Sequence, residues 1–323
     1  MAHAILIYEQ GGPDVLRYES INIEKPQAGQ VRLRQTAIGV NFLDTYFRKG
    51  DFPLPSTPFI DGFEAAGVIE ELGEGVTDLE VGPRVAYQLV KGAYTDRRTM
   101  STERLVPLPD TISDEQAAAM MLKGTTAEYL VRQVYPVKAG DTILVHAAAG
   151  GVGSLLCQWA KHLGATVIGT VSSPEKADRA RANGCDYPII YTQEDYVDHV
   201  NEITDGLGVP VVYDGVGRTT FHRNFDCLAT FGVNVLFGWA SGQVEPLDVH
   251  RLNSKSHVVV NPSLGHYTGT RARLLASAQA LFDVVSTGAV SINVNHRYPL
   301  AQAAQAHADL EARRTKGSVV LLA

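Results

Sequence analysis

Cysteine is scarce in this sequence, which has only Cys157, Cys185 and Cys227 among its 323 residues. An odd number of widely spaced cysteines argues against a disulfide framework or a metal cluster, and indicates buried thiols in a cytoplasmic protein. No run of about 18 apolar residues occurs, which excludes a membrane-spanning helix. The first residues lack a basic stretch followed by a long apolar one, so we expect no secretory signal.

An excess of basic residues is likewise absent, since the formal net charge is −7 at pH 7. This charge disfavours a general nucleic-acid or anionic-membrane surface, while a local basic patch stays possible. The length of 323 residues exceeds what a single hydrophobic core usually supports, so two domains are expected.

Residues 141–153 (DTILVHAAAGGVG) carry the clearest sign of chemistry. Thr142 to Val145 is typical of a buried strand, and three glycines then open a helical run. Such a turn leaves the first N–H groups of the helix unpaired, which favours an anion, and glycine lets phosphate oxygens come close. Because the glycines depart from the spaced G-x-G-x-x-G pattern, an ordinary strand–turn–helix joint is the alternative.

The chain changes character near residue 124. Residues 1–120 contain mostly short strands and turns, with a short helix over 41–50, and predict an antiparallel β domain. Beyond residue 124 helices and strands alternate, which predicts a parallel sheet covered on both faces. The elements predicted there are strands at 142–145, 165–171, 188–191, 210–214, 233–238 and 258–260, and helices at 193–204, 218–229 and 270–287. A further helix over 300–313 and a strand over 318–322 are expected to return to the first domain.

The segment after the second predicted strand reads GTVSSPEK, from Gly169 to Lys176. A dinucleotide fold that selects NADH places an acidic residue there, on the ribose 2′-hydroxyl. Ser172 and Lys176 instead suit a 2′-phosphate, so the sequence favours NADPH. Two alternatives stay open: Lys176 is an ordinary surface lysine, or Glu175 pairs with Arg179 on a solvated helix face.

Several ordered motifs support a family resemblance: GGPDVL (11–16), GVNFLDTYFRKG (39–50), GFEAAGVI (62–69), LKGTTAEYL (122–130), HAAAGGVGSLLCQWAK (146–161) and VVYDGVG (211–217). With them the chain resembles the zinc-free, ζ-crystallin-like quinone oxidoreductases of the medium-chain dehydrogenase/reductase superfamily, and in particular the bacterial NADPH:quinone reductases. The resemblance implies an α/β architecture in which a Rossmann doubly wound parallel sheet domain is joined to a GroES-like antiparallel β domain. The expected boundaries are 124–264 for the Rossmann domain, and 1–123 with 265–323 for the GroES-like catalytic domain.

Two positions depart from the zinc-dependent branch of that superfamily. Phe63 follows Gly62 where those alcohol dehydrogenases have a zinc-binding His, and Asn41 stands where they have Cys. Neither side chain can replace imidazole or thiolate as a zinc ligand. We therefore expect no metal, and a substrate that accepts hydride without a Lewis acid, such as a quinone or an activated enone.

The resemblance also implies which residues contact the cofactor. The expected nicotinamide-end residues are Asn41, Phe42, Leu43 and Asp44. The expected pyrophosphate residues are Tyr129, Gly150, Gly151, Val152 and Gly153. The expected 2′-phosphate residues are Ser172, Lys176, Tyr191 and Arg313. The rest of the groove is expected to comprise Gly217, Phe237, Gly238, Ser241, Gly265, His266 and Tyr267.

The predicted reaction is direct hydride transfer from NADPH to a quinone in the cleft between the domains. Tyr46 and Lys123 are candidate donors to the developing oxyanion. Tyr46 could instead be core packing, Lys123 could serve a backbone carbonyl, and the proton could come from water. The alternatives are NADPH-dependent reduction of an enone or alkenal C=C bond and, from another class, an AU-rich RNA-binding or structural protein. Family analogy implies a homodimer joined through sheet edges near residues 233–262.

Overall fold

The computed structural model describes every residue from Met1 to Ala323, and the chain divides into two compact units. The first unit comprises Met1–Lys123, Thr270–Phe282 and Ile292–Ala323, and the second comprises Gly124–Gly269 and Asp283–Ser291. None of the helices combines the length and the apolar character needed to cross a bilayer.

Strands and helices are numbered here in chain order. The strands are β1 Ala2–Ile7, β2 Arg17–Ile21, β3 Gln30–Val40, β4 Phe59–Ile60, β5 Glu64–Leu72, β6 Arg84–Gln88, β7 Arg97–Ser101, β8 Val106–Pro107, β9 Thr142–Val145, β10 Thr166–Val171, β11 Tyr187–Ile190, β12 Val209–Asp214, β13 Leu228–Leu236, β14 Val258–Val260, β15 Val294–Pro299 and β16 Ser318–Leu322. The α-helices are α1 Phe42–Lys49, α2 Asp114–Tyr129, α3 Gly151–His162, α4 Pro174–Ala182, α5 Tyr196–Ile203, α6 Leu264–Tyr267, α7 Arg271–Ser286 and α8 Ala303–Glu311. A π-helical turn, Leu130–Val134, continues α2.

The first unit contains a seven-stranded and a three-stranded sheet. In the larger sheet the strand order is β15-β16-β3-β5-β6-β8, with β7 paired to β3, and the smaller sheet has the order β2-β1-β4. All pairs are antiparallel except β15–β16. Alternate side chains such as Val31 and Leu33 on β3 enter the core, as a half-buried strand requires. The predicted antiparallel β domain is confirmed.

The second unit is built on a six-stranded sheet in the order β11-β10-β9-β12-β13-β14, and every pair in it is parallel. Counted from β9, this is the doubly wound order 3-2-1-4-5-6. The direction of winding reverses between β9 and β12, and ligands of such sheets bind beyond the carboxyl ends of the strands at that point. The predicted Rossmann fold is confirmed, and the glycines after β9 lie at the reversal.

One helix prediction needs correction, and one helix was not predicted. No α-helix spans 218–229; this segment forms turns and a short 3-10 helix, Arg223–Asp226, and β13 begins at Leu228. The buried carboxylate of Asp214 accepts bonds from the Thr220 hydroxyl and the Asn224 amide, and these side-chain bonds hold the segment in a non-helical path. Helix α2 was not predicted, because its residues Ala117 to Met121 are all fully buried and give no amphipathic period.

Candidate functional site

The glycine turn, residues 147–153, joins β9 to α3 in the second unit. Ala147 has φ of +52°, and its carbonyl oxygen accepts the N–H of Gly150 at 2.8 Å. A Cβ on Gly153 would lie 2.2 Å from that carbonyl oxygen, so only glycine fits there. The N–H groups of Gly151, Val152 and Gly153 begin α3 without intrahelical acceptors, as an anion site requires, and their contact with a phosphate stays a prediction.

His146 lies fully buried beneath this turn. Its Nε2–H donates to Asn224 Oδ1 at 2.8 Å, while the Thr170 hydroxyl meets its Nδ1 at 2.9 Å. Burial lowers the pKa of His146, so the imidazole is neutral. The side chain therefore links the end of β9 to β10 and to the segment before β13, which stabilises the turn.

The end of β10 carries the residues predicted for a 2′-phosphate. Ser173 caps α4 by accepting the N–H of Lys176 at 3.4 Å, which turns the helix back over the strand end. Lys176 Nζ then donates to Ser172 Oγ at 3.1 Å. The N–H of Tyr191 bonds the Val171 carbonyl at 3.1 Å, so Tyr191 lies beside the pair with its ring half exposed. The fold brings together these three of the four residues predicted for the phosphate.

Arg313, the fourth, belongs to the first unit, where it is exposed and follows α8 with φ of +57°. Its contact with the phosphate stays a prediction. Burial lowers the pKa of Arg179, and the charge of Glu175 on the same helix partly offsets that lowering.

The turn after β12 is organised by Asp214, which sequence reasoning did not single out. Its Oδ1 accepts the N–H groups of Val216 at 2.8 Å and Gly217 at 3.0 Å. Gly217 has φ of +88°, and the hydroxyl of Ser241 donates to the Val216 carbonyl at 2.8 Å. An aspartate that ends a strand before G-V-G is the signal that could have identified this turn.

The remaining predicted groove residues of the second unit fall into two groups. Phe237 and Gly238 follow β13 and pack against Gly215, where a Cβ would lie 2.9 Å from the Phe237 ring. Tyr129 and Tyr267 stack with ring centroids 4.6 Å apart, and burial raises the pKa of Tyr129. Tyr267 ends the short helix that also contains Gly265 and His266.

In the first unit, the turn before α1 contains Asn41, which is held from two sides. Its backbone N–H donates to Asp44 Oδ2 at 2.7 Å, and its side-chain amide donates to Glu64 Oε1 at 2.8 Å. Lys123 Nζ donates to the same Glu64 oxygen at 3.1 Å and to the Val40 carbonyl at 3.3 Å. Lys123 therefore forms a buried ion pair and also serves the carbonyl that the alternative interpretation named.

The other residues predicted on α1 are more accessible. The Phe42 ring is 42% exposed, Leu43 is half-buried, and Tyr46 is half-buried with its ring 6.1 Å from that of Phe52. The structure leaves the donor roles of Tyr46 and Lys123 as predictions.

Two buried carboxylates, Asp44 in the first turn of α1 and Asp61 after β4, each have one oxygen without a hydrogen bond. Asp44 Oδ1 and Asp61 Oδ2 are buried and accept no hydrogen bond. Burial raises the pKa of Asp44 to about 7, although the Asn41 N–H, the Tyr94 hydroxyl and Lys123 all favour its charged form. Burial, together with the charge on Asp44, also raises the pKa of Asp61 well above its ordinary value. The region therefore holds acids that keep a proton near neutral pH.

Asn41 and Phe63, the two positions that distinguish the zinc-dependent branch, show no metal-site geometry. The Phe63 ring is buried and packs 5.1 Å from that of Phe47, while the amide of Asn41 is bonded to Glu64. No group of three His, Cys, Asp or Glu residues in the chain is arranged to hold a metal ion.

Comparison with protein families defines the class of protein. Residues 27–139 match the alcohol dehydrogenase GroES-like domain, and residues 151–280 match the zinc-binding dehydrogenase domain. These matches fall largely within the first and second units, respectively.

Comparison with individual proteins narrows that class. The chain is 48% identical over 324 residues to a quinone oxidoreductase of Pseudomonas aeruginosa, with both chains covered fully. It is 45% identical to a 2-haloacrylate reductase of Burkholderia sp, covering 100% of this chain and 99% of that one. The crystal structure of Escherichia coli quinone oxidoreductase complexed with NADPH matches with a TM-score of 0.97 at 42% identity, with both chains covered fully. The chain therefore belongs to the quinone oxidoreductases of the medium-chain dehydrogenase/reductase superfamily.

Proposed function

We propose that this chain is an NADPH-dependent quinone reductase that works without zinc. The observation that carries the proposal is the Ser172–Lys176 pair after β10, at the same edge of the sheet as the unpaired N–H groups that begin α3. A cation and a hydroxyl at that position suit a 2′-phosphate, whereas NADH-selecting folds place an acid there. Relatives solved with NADPH support the same cofactor.

Each segment has a separate task in binding the cofactor. NADPH, when bound, supplies the hydride, and the chain's own residues bind and orient it. The N–H groups of Gly151 to Gly153 are assigned to the pyrophosphate, and Ser172, Lys176 and Tyr191 are assigned to the 2′-phosphate. The remaining contacts are made by Gly150, Gly217, Phe237, Gly238, Ser241, Tyr129, Gly265, His266 and Tyr267.

The nicotinamide end is assigned to Asn41, Phe42, Leu43 and Asp44. Of the two candidate donors, Tyr46 is half-buried on α1 and is assigned to the acceptor oxygen. Lys123 acts through its ion pair with Glu64, which holds the Asn41 amide.

Zinc independence is supported by the chemistry of the donor positions. A phenyl ring has no lone pair for a metal, and a carboxamide is a poor substitute for thiolate. A quinone is already an electron acceptor, so its reduction needs orientation of two reactants more than a Lewis acid, and orientation can contribute about 7–11 kcal/mol.

Reduction of an activated C=C bond is the second candidate. The 2-haloacrylate reductase of Burkholderia sp, at 45% identity over the whole chain, favours it. Hydride delivery to a β-carbon uses the same cofactor geometry as delivery to a quinone.

Steady-state oxidation of NADPH and NADH with 1,4-naphthoquinone, 2-chloroacrylate and methyl vinyl ketone tests the proposal. We expect the highest kcat/KM with naphthoquinone and NADPH. Turnover confined to 2-chloroacrylate or the enone would favour the second candidate. Tight AU-rich RNA binding with no turnover of any acceptor would reject both enzymatic functions.

Replacing Lys176 tests the 2′-phosphate assignment. Lys176→Ala should raise the KM for NADPH by about 10- to 100-fold and leave that for NADH nearly unchanged, because a hydrogen bond to a charged group is lost. Arg181→Ala is the matched control, since Arg181 lies on the same helix but pairs with Asp178. An equal effect of Lys176→Ala on both cofactors would contradict the assignment.

A homodimer is also part of the proposal. Strand β14 is an edge of the six-stranded sheet, and Val258 at its start is 46% exposed. An exposed edge strand is a template for pairing with a second copy. Sedimentation equilibrium should give twice the 34.9 kDa chain mass, and Val258→Lys should shift it toward one chain. The three cysteines are free and buried, which supports a reducing, cytoplasmic location.

A further inference from the structure

A chain of fully buried hydrogen bonds runs through the first unit to the turn before α1. Arg48 Nε donates to His307 Nδ1 at 3.2 Å, and His307 Nε2 lies 2.8 Å from the Tyr94 hydroxyl. The Tyr94 hydroxyl is in turn 2.8 Å from Asp44 Oδ2, the oxygen that accepts the Asn41 N–H. The Arg48, His307, Tyr94 and Asp44 side chains are all 0% exposed.

The direction of this chain is fixed by its first donor. Arginine has no acceptor, so His307 Nδ1 must accept and the imidazole proton must be on Nε2. That proton is donated to the Tyr94 oxygen, and the Tyr94 proton is therefore left for Asp44. Burial and the charge of Arg48 lower the pKa of His307 to about 3, so the ring stays neutral and the order of donors persists.

The far end of the chain is anchored on another part of the unit. Arg48 also donates to the Gly11 carbonyl at 2.6 Å and pairs with Glu311 in the last turn of α8. His307 lies on the same helix. A continuous series of hydrogen bonds therefore connects α8 to the backbone N–H of Asn41.

We propose that Tyr94 and His307 are positioning residues that set the Asn41–Asp44 turn for the nicotinamide end of the cofactor. This inference rests on the proposed function, which assigns that turn to the nicotinamide. Two observations favour positioning over packing alone. The chain ends on the N–H of Asn41 itself, and Glu64 fixes the same residue through its side chain. Small displacements of a reacting group cost much of the benefit of orientation.

The test separates the nicotinamide end from the phosphate end. Tyr94→Phe removes the donor to Asp44 while it keeps the ring. We expect about a tenfold lower kcat and weaker NADPH binding, with the Kd for 2′,5′-ADP unchanged, because that ligand lacks the nicotinamide. Calorimetry gives both Kd values without any turnover.

Two further variants separate positioning from packing. Tyr87→Phe is the matched control: Tyr87 is equally buried in the same unit, but its hydroxyl bonds Gln35 and Arg98. It should leave kcat and NADPH affinity close to those of the unmodified protein. His307→Gln keeps an acceptor for Arg48 and a donor for Tyr94, so it should retain more activity than His307→Leu.

Equal kinetic effects of Tyr94→Phe and Tyr87→Phe, or equal losses in His307→Gln and His307→Leu, would overturn the inference. If Tyr94→Phe does not fold, the two His307 variants decide. A wild-type protein that binds neither NADPH nor 2′,5′-ADP would reject the proposed function, and the inference with it. A wild-type protein that binds both and a fully active Tyr94→Phe would reject the inference alone.

Discussion

The segments that we propose to bind the cofactor are stabilised by opposite means in the two units. In the second unit the glycine turn and the start of α3 offer backbone N–H groups, with Ser172 and Lys176 half-buried at the surface. In the first unit the turn before α1 is held by buried ionisable side chains, namely Asp44, Glu64 and Lys123. Backbone dipoles bind an anion with little effect on folding, whereas buried charges couple binding to stability and pH.

A shared feature makes this contrast sharper. Each unit buries a neutral histidine beneath its segment, His146 under the glycine turn and His307 behind α1. His146 is bonded to uncharged partners, Thr170 and Asn224, whereas His307 transmits a bond from Arg48 toward a carboxylate. A neutral histidine thus stabilises a turn in the second unit, and in the first unit it connects an arginine to the hydrogen bonds that reach Asp44.

The largest effect is expected from breaking the buried ion pair of the first unit. Lys123→Ala leaves the Glu64 carboxylate buried without its cation and should lower the free energy of unfolding by about 3–5 kcal/mol. Lys161→Ala, which breaks an exposed pair with Asp186 in the second unit, should cost less than about 1 kcal/mol. Urea unfolding compares them, and similar costs would remove the contrast between the units.

A smaller effect is expected from filling the glycine turn. The Cβ in Gly153→Ala would lie 2.2 Å from the backbone carbonyl oxygen of Ala147, which cannot move aside. We expect a loss of about 1–3 kcal/mol in stability together with weaker NADPH binding, as the first turn of α3 shifts. Ser154→Ala on the same helix is the control, because its hydroxyl bonds only the Gly151 carbonyl at 3.3 Å. Unchanged NADPH affinity in Gly153→Ala would show that the N–H groups do not hold the pyrophosphate.

A third effect concerns the pH dependence of stability. Because the pKa of Asp44 rises from 3.8 to about 7 on folding, the folded state binds more protons between those values. Its contribution to stability is therefore full below pH 3.8 and is lost as the pH rises toward about 7. Asp44→Asn should flatten that decline in thermal melts taken across this range.

Asp195→Asn provides a control of opposite sign. Arg223 lowers the pKa of Asp195, so this exposed carboxylate contributes stability that is lost as the pH falls. Thermal melts across this pH range compare the two variants. If both substitutions change the pH dependence of stability in the same direction, burial does not determine the pKa of Asp44.

The sequence predicted the parts of the fold that depend on neighbours along the chain. Strand β9, the glycine turn and the start of α3 are adjacent in the sequence. The apolar run, the glycines and the helical pattern that follow one another there predict all three. Ser172 and Lys176 could be proposed for the same reason, since they lie within about one helical turn of a strand end. Helix α2 was missed because residues buried on every side show no period.

The buried chain of the first unit could not be predicted in this way. Asp44, Tyr94 and His307 are distant in sequence, and no local pattern marks a tyrosine or a histidine as buried and bonded. The predicted helix over 218–229 was wrong because the Asp214 carboxylate captures the backbone and side chains that follow it. Hydrogen bonds between side chains that are distant in sequence override local helix propensity. These partners can be identified only once the three-dimensional fold is known.

The placement of β16 also constrains the order in which the two units can fold during translation. This strand inserts between β15 and β3, although residues 318–322 are synthesised after the whole of the parallel-sheet unit. Until β16 is made, the end of β3 from Ala37 to Val40 lacks its β16 partner, although the later-made unit already has all its strands. Domains usually fold in the order in which they leave the ribosome; here the order of completion is reversed.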